Sequence, residues 1–425
     1  MSRVNAAEVR GIISHFQDVA DPRSSINRRH ELVDVIVISI CGVIAGADGP
    51  VAIEQWAETQ QGWLKKYLKL PHGIPSHDTI GRVLEVLDPQ TFQECFSNWL
   101  QFLGDPDSDK EGEQREKHYA IDGKALRRSH DRRRGFKALH LVSAWASQQG
   151  ITLGQVATEE KSNEITAIPE LLDRLDLEKA IVTIDAAGCQ KNIAQQIIQG
   201  GGDYILALKG NQDTLYQAAQ DYFDTQVERD FVDVDMSYWE EQEKSHGRLD
   251  KRYYYQFTVP QELRGREKWS RLRTLGVAIR ISNANGQETI DTRFYISSLR
   301  RSIKRFARSV RGHWSIENTL HWCLDMTFRE DESRVRSRRL AENLSWLRRL
   351  AISLLKQHPS KQSIAMKRRI AGWSAEFLMQ VLTGTTSWYA IALPTGLVLP
   401  HSSRCRKAGL AGGAVSSWIP IRRIG

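Results

Sequence analysis

Apolar positions in the first 104 residues recur at helical spacing, in Val9, Ile12, Ile13 and Phe16 and again in Ile53, Trp56 and Ala57, which predicts an all-helical N-terminal region. Asp21-Pro22-Arg23 ends the first helix, because proline cannot donate and restrains the residue before it. The longest apolar run, Val35 to Ala47, is interrupted by Ser39 and Gly42. It falls short of the roughly 20 residues a bilayer span needs, so it predicts a buried core helix. Pro75-Ser76-His77-Asp78-Thr79 predicts a helix start, with Ser76 as cap and Asp78 in the first turn. The helix that follows carries Ile80, Val83, Leu84 and Leu87 on one side. Ser76-His77-Asp78 is not a nucleophile triad, since the members of such triads meet from distant positions.

Residues 105–117 are polar, with Gly and Pro, and read as a linker. The pattern then changes to alternating strand and helix signals. Strands are predicted at His118–Asp122, Ala138–Ala146, Ile151–Ala157, Ala180–Asp185 and Tyr204–Leu208, and helices at Asn163–Leu175 and Gln190–Gln199. Strand, strand, strand, helix, strand, helix, strand is the order of an RNase H-like α/β fold, a mixed sheet with helices on both faces. Between about 213 and 290 an acidic helical stretch (Asp221 to Glu243) precedes strand-like runs at Lys251–Val259 and Leu272–Ile281, which predicts a partly β insertion. A strand at Thr292–Ser298 leads into a helix from Ser302 to about Leu324. The catalytic domain is expected to run from 118 to 385, and residues 386–425, rich in Gly, Ser and Pro, to form a disordered tail.

Composition narrows the class only a little. With 41% hydrophobic and 26% charged residues the chain is globular, and 425 residues exceed one ordinary core. A net charge of +8 suits a nucleic-acid partner without requiring one. Cys41, Cys95, Cys189, Cys323 and Cys405 are scattered, with no CxxC pair. Neither a disulfide framework nor a structural zinc site is indicated, and a reducing cytoplasm is expected. No basic-then-apolar leader opens the chain.

The candidate chemistry lies in three carboxylates. Asp122 and Asp185 each end an apolar, strand-like run, and in an RNase H-like sheet those two strands are neighbours. Glu317 sits in the helix predicted to pack beside them. Three such carboxylates can hold two divalent ions, the arrangement that activates water or a 3′-hydroxyl against a phosphodiester, and oxygen ligands suit Mg2+ (or Mn2+). The bland readings are a turn aspartate before Gly123, a turn or capping role for Asp185, and a solvated helix residue for Glu317. Asp325, Glu330 and Asp331 are alternatives for the third position. His313, Glu317, His321 and Asp325 form a polar stripe, but the two histidines lie about 12 Å apart along a helix axis, too far to share one zinc ion. His313 is expected as a phosphate contact or a scaffold hydrogen bonder, His321 as a core histidine, and Trp314 and Trp322 as packing residues. Lys124, Lys209, His246 and Arg248 are candidate DNA contacts. So are basic residues of 300–349, Arg311 and Arg334 among them, where arginines interleave with leucines from Leu340 to Leu355.

At these residues the chain closely resembles the DDE-type transposases of bacterial insertion sequences, in the group containing the H-repeat-associated proteins of Rhs elements. The matching stretches are Asp21-Pro22-Arg23, residues 74–82, Ile121-Asp122-Gly123-Lys124, Thr183-Ile184-Asp185-Ala186, residues 204–212, His246-Gly247-Arg248, residues 313–322 and Phe328-Arg329-Glu330-Asp331. The resemblance covers roughly residues 8–383. It implies an RNase H-like core, Mg2+ dependence, element-end and target DNA as substrates, and Asp122, Asp185 and Glu317 as the acidic triad. By analogy it implies dimerisation on paired ends, in a bacterial cytoplasmic protein that joins the nucleoid when bound to DNA. It also implies an element-end-binding role for the helical N-terminal region. His313 stands where related transposases carry an arginine, and the tail beyond about 385 has no counterpart, which suggests readthrough or a frameshifted terminus. A DNA-binding relic without catalysis, or an RNase H-like nuclease without strand transfer, are the other readings.

Overall fold

The computed structural model describes residues 13–16, 19–24, 28–102, 116–158, 164–245, 248–284 and 287–384. The expectations for His246, for most of the 105–117 linker and for the 386–425 tail lie outside them.

Five strands open the sheet: β1 (His118–Leu126), β2 (Leu139–Ala146), β3 (Ile151–Thr158), β4 (Ile181–Ile184) and β5 (Asp203–Leu208). Their spatial order is β3-β2-β1-β4-β5, with β1 antiparallel to β2 and parallel to β4. This is the RNase H-like arrangement. The short, fully buried β4, Ile-Val-Thr-Ile, is the apolar run expected of a central parallel strand.

The insertion does not form a separate body. Its strands β6 (Met236–Ser245), β7 (Arg248–Thr258), β8 (Thr274–Ala284) and β9 (Gln287–Ser297) extend the same sheet to nine strands, through β9 pairing with β5. The stretch 221–243, expected to be helical throughout, is divided. A helix ends at Glu228, and Met236–Ser245 is the edge strand. Its many glutamates favour helix in isolation, but pairing with β7 places Tyr238 opposite Tyr255, their rings 5.2 Å apart. Cross-strand contact of this kind outweighs intrinsic preference.

The helices of the N-terminal region are α1 (Leu32–Ile44), α2 (Pro50–Thr59), α3 (Gln61–Leu64), α4 (His77–Val86) and α5 (Pro89–Phe102). Helix α1 is buried almost throughout, and Ser76 caps α4 by accepting from Thr79 N. On the sheet lie α6 (Glu164–Leu172), α7 (Lys191–Gln199), α8 (Asp213–Glu228) and α9 (Ile303–Ser315). Helix α9 continues through a π-helical turn, Ile316–His321, into α10 (Trp322–Met326). The chain then forms α11 (Arg338–Gln357), α12 (Ile364–Trp373) and α13 (Ala375–Thr383).

One hydrophobic cluster joins the two ends of this chain. Phe16, Ile36, Leu84, Phe96 and Trp99 share it with Leu320, Trp346, Leu350 and Leu382. Polar bonds cross the same boundary. Asn343 Nδ2 donates to the carbonyls of Leu84 (2.7 Å) and Leu87 (3.1 Å). The Arg368 guanidinium donates to Val43 O, Ala47 O and Asp48 Oδ1. The helical N-terminal region is therefore part of one compact unit with the sheet and the C-terminal helices.

Candidate active site and its carboxylates

The parallel register of β1 and β4 runs from His118 opposite Ile181 to Ile121 opposite Ile184. The next residue on each chain is an acid, Asp122 and Asp185. Neighbouring strands lie about 4.8 Å apart, so the two carboxylates leave adjacent strands at the same level. Strand β1 runs on past Asp122 to Leu126 because β2 continues to pair with it, whereas β4 stops at Ile184. Both acids also serve the local turns that were the bland alternatives. Asp122 Oδ1 accepts from Gly123 N at 2.9 Å, and Asp185 Oδ1 accepts from Ala187 N and Gly188 N at 3.0 and 3.3 Å.

Helix α9 packs across β1 and β4, and the π turn that follows it also packs on β1. Such wide turns are rare and frequent at functional sites. Within this one Ile316 and Leu320 are buried, Glu317 is exposed, and His321 faces the sheet with Nδ1 3.5 Å from Asp122 Oδ2. Burial, with Arg349 and Lys124 nearby, pushes the His321 imidazole down to about 3, so it is neutral at physiological pH. Burial, then the charge of Asp185, then those of Glu317 and Glu164, push the Asp122 carboxyl up to about 8, against the lowering bond from Gly123. Asp185 is raised by burial and by Glu164, and lowered by its two backbone bonds and by Lys209. Asp122 thus lies among like charges, and a divalent cation is the species that would offset them. Among the described residues, no three His, Cys, Asp or Glu side chains lie together closely enough to hold a metal ion as they stand; the carboxylates around Asp122 are oxygen groups of the kind Mg2+ takes.

Glu164 was not singled out in the sequence. It is the first residue of α6, and its Oε1 lies 2.7 Å from His140 Nε2. The one sequence signal was Gly123 after Asp122. A Cβ there would fall 2.1 Å from Glu164 Oε1 and 2.4 Å from His140 Nε2. Any side chain at 123 would displace that carboxylate or the imidazole.

The expected cationic contacts separate into two groups. Lys209 is exposed beside Asp185, and Arg248 and Arg334 are exposed, Arg248 pairing with Asp250 at 3.2 Å. Arg311 is half-exposed and pairs with Glu243 of β6 at 3.0 Å. Lys124, in contrast, is only 8% exposed and bonds Asp325 (2.7 Å) and Asp331 (3.0 Å). That pairing corrects its reading as a phosphate contact, and it engages Asp325 and Asp331, the alternatives to Glu317, with a lysine. Lys124→Met is expected to lower the melting temperature, by about 1–3 kcal/mol of stability, and to leave the salt dependence of DNA binding unchanged. A salt slope smaller by about one would restore a phosphate contact.

His313 takes the scaffold role. It is buried, and its Nδ1 lies 3.1 Å from Thr183 Oγ1, which His118 Nε2 approaches at the same distance from β1. Burial holds His313 down to about 4 and His118 down to about 3, so two neutral imidazoles and one hydroxyl tie α9 to β1 and β4. Gly312 permits this, since a Cβ there would meet the His118 ring at 2.5 Å. Trp314 packs under Arg293 and Arg252, but Trp322 is 57% exposed, so packing does not account for it. Two arginines of α11 are corrected as well. Arg348 and Arg349 are buried against Glu330, at 3.8 and 3.3 Å, rather than forming a cationic surface, and Glu330 is thereby occupied too.

Comparison with known proteins identifies the family. The Transposase DDE domain family matches residues 113–354, and the DDE_Tnp_1-associated family matches residues 13–100. The H repeat-associated protein YhhI of Escherichia coli (strain K12) is 38% identical over 384 residues, which is 89% of this chain and 99% of that protein. YbfL of the same strain is 37% identical over 89% of this chain and 99% of its own length. The H repeat-associated protein YbfD is 40% identical over 60% of this chain and 97% of its own. Among solved structures, a piggyBac transposase synaptic complex with hairpin DNA aligns over 92% of this chain and 80% of that one, at 10% identity and a TM-score of 0.37, too distant to add to the fold. The chain belongs to the DDE-domain transposase family, in the group that includes the H repeat-associated proteins.

Proposed function

We propose that this chain cuts DNA at the ends of an insertion element and joins the freed 3′-hydroxyl to target DNA, with Asp122, Asp185 and Glu317 as the acidic triad holding Mg2+ (or Mn2+). The observation that carries the reading is the equivalent register of Asp122 and Asp185, beside the helix bearing Glu317. Divalent cations held there would supply activation of the attacking oxygen and neutralisation of charge at the phosphate. The protein's own part is positional. Neutral His321 lies beside Asp122 without competing as a cation, and both turn bonds to Asp185 fall on one of its two oxygens. Exposed Lys209, Arg248 and Arg334 would meet the phosphate backbone, and exposed Trp322 would stack on an unpaired base. Two copies, one on each element end, complete the reading.

The test is a labelled element-end duplex incubated with Mg2+ and a target plasmid. Nicked ends and joined product are expected, with binding that weakens steeply between low and high salt as counterions are released. Binding without any product would mark a relic, and cleavage without joining would mark a nuclease. Affinity that is flat with salt would overturn every DNA reading.

A further inference from the structure

We propose that Glu164 is a fourth carboxylate of the cation-holding array, oriented by His140 and admitted by the missing side chain at Gly123. The inference rests on the reading of Asp122, Asp185 and Glu317 given above and adds a residue from a different element. A glutamate in the first turn of a helix has an ordinary role, favourable interaction with the helix dipole. That role is served by a side chain turned toward solvent. Glu164 instead lies over the backbone of Gly123, in the space a Cβ would fill, immediately beside Asp122. His140 comes from β2, where it pairs with Ala125 of β1, and its Nε2 fixes Glu164 Oε1 at 2.7 Å. Carboxylates that bind metals are characteristically held by such a neighbour. Glu164 also acts electrostatically on both aspartates, being the foremost like charge on Asp185.

Mn2+ binding to the full chain, followed by electron paramagnetic resonance and calorimetry, tests this without reference to turnover. Glu164→Gln is isosteric and is expected to weaken Mn2+ binding about 10–100-fold, or to remove one of two bound ions. His140→Asn should weaken binding less, and Gly123→Ala should mimic Glu164→Gln by displacing the carboxylate. Glu262→Gln, at an exposed and remote acid, should change nothing. Wild-type binding that is matched by folded Glu164→Gln, yet lost in Asp122→Asn, would overturn the role of Glu164 while leaving the triad standing. Should Glu164→Gln fail to fold, unchanged binding by Gly123→Ala and His140→Asn would overturn it equally. A wild-type chain that neither binds Mn2+ nor cuts element-end DNA would overturn the triad, and this proposal with it.

Discussion

Asp122→Asn is expected to reduce Mg2+-dependent cutting of element-end DNA by about a thousandfold or more, the loss of several kcal/mol of transition-state stabilisation, while DNA binding persists. The same substitution should stabilise the metal-free protein. Asp122 ionises near pH 4 in the unfolded chain but only near about 8 in the folded one. The folded state therefore holds a proton that the unfolded state has released. That contribution to stability is complete below pH 4 and is lost as pH rises toward 8. In EDTA, melting temperatures of wild type should fall across this window more than those of Asp122→Asn. Equal pH dependence in the two proteins, or retained cutting by the variant, would refute the assignment.

Glu330→Gln should be the most damaging change outside the active site. Glu330 is buried between Arg349, Arg348 and the Ser345 hydroxyl, which donates to it at 2.6 Å. Arg349 reaches on to Ser143 of β2 at 3.1 Å, the residue directly opposite Asp122. Removing the anion leaves the Arg349 guanidinium without its ion-pair partner in the core and Arg348 with Asp48 alone, a loss of about 3–5 kcal/mol. Urea denaturation measures this directly, and a loss below about 1 kcal/mol would mean that the arginines find other partners. Because the network ends behind Asp122, cutting should also decline, but through stability, and low temperature should restore part of it.

Much of the fold could be read from the residues because its signals are local. Five strands, the helices between them and the positions of the two aspartates followed from runs such as Ile181–Ile184, whose four buried positions admit little else. What escaped depends on distant partners. Lys124 looks like a free cation until Asp325 and Asp331, some two hundred residues later, close on it. Arg348 and Arg349 look like a DNA-facing pair until Glu330 is buried beneath them. Glu164 follows a polar loop and resembles any helix-opening acid; only its placement over Gly123 gives it meaning. The π turn at Ile316–His321 has no compositional mark, and without it neither the exposure of Trp322 nor the approach of His321 to Asp122 could be anticipated.

The apolar surface shared by the first hundred residues and the last helices imposes a schedule on biosynthesis. Phe16, Leu84 and Trp99 leave the ribosome well before Trp346 and Leu382, whose side chains cover them. At about 5–20 residues per second the interval is on the order of tens of seconds. Throughout it the nascent chain carries unsheltered greasy patches, and ordering must await closure of very long loops. Chaperone engagement during translation, and insolubility of any product truncated before α11, follow from where the partners of that surface are encoded.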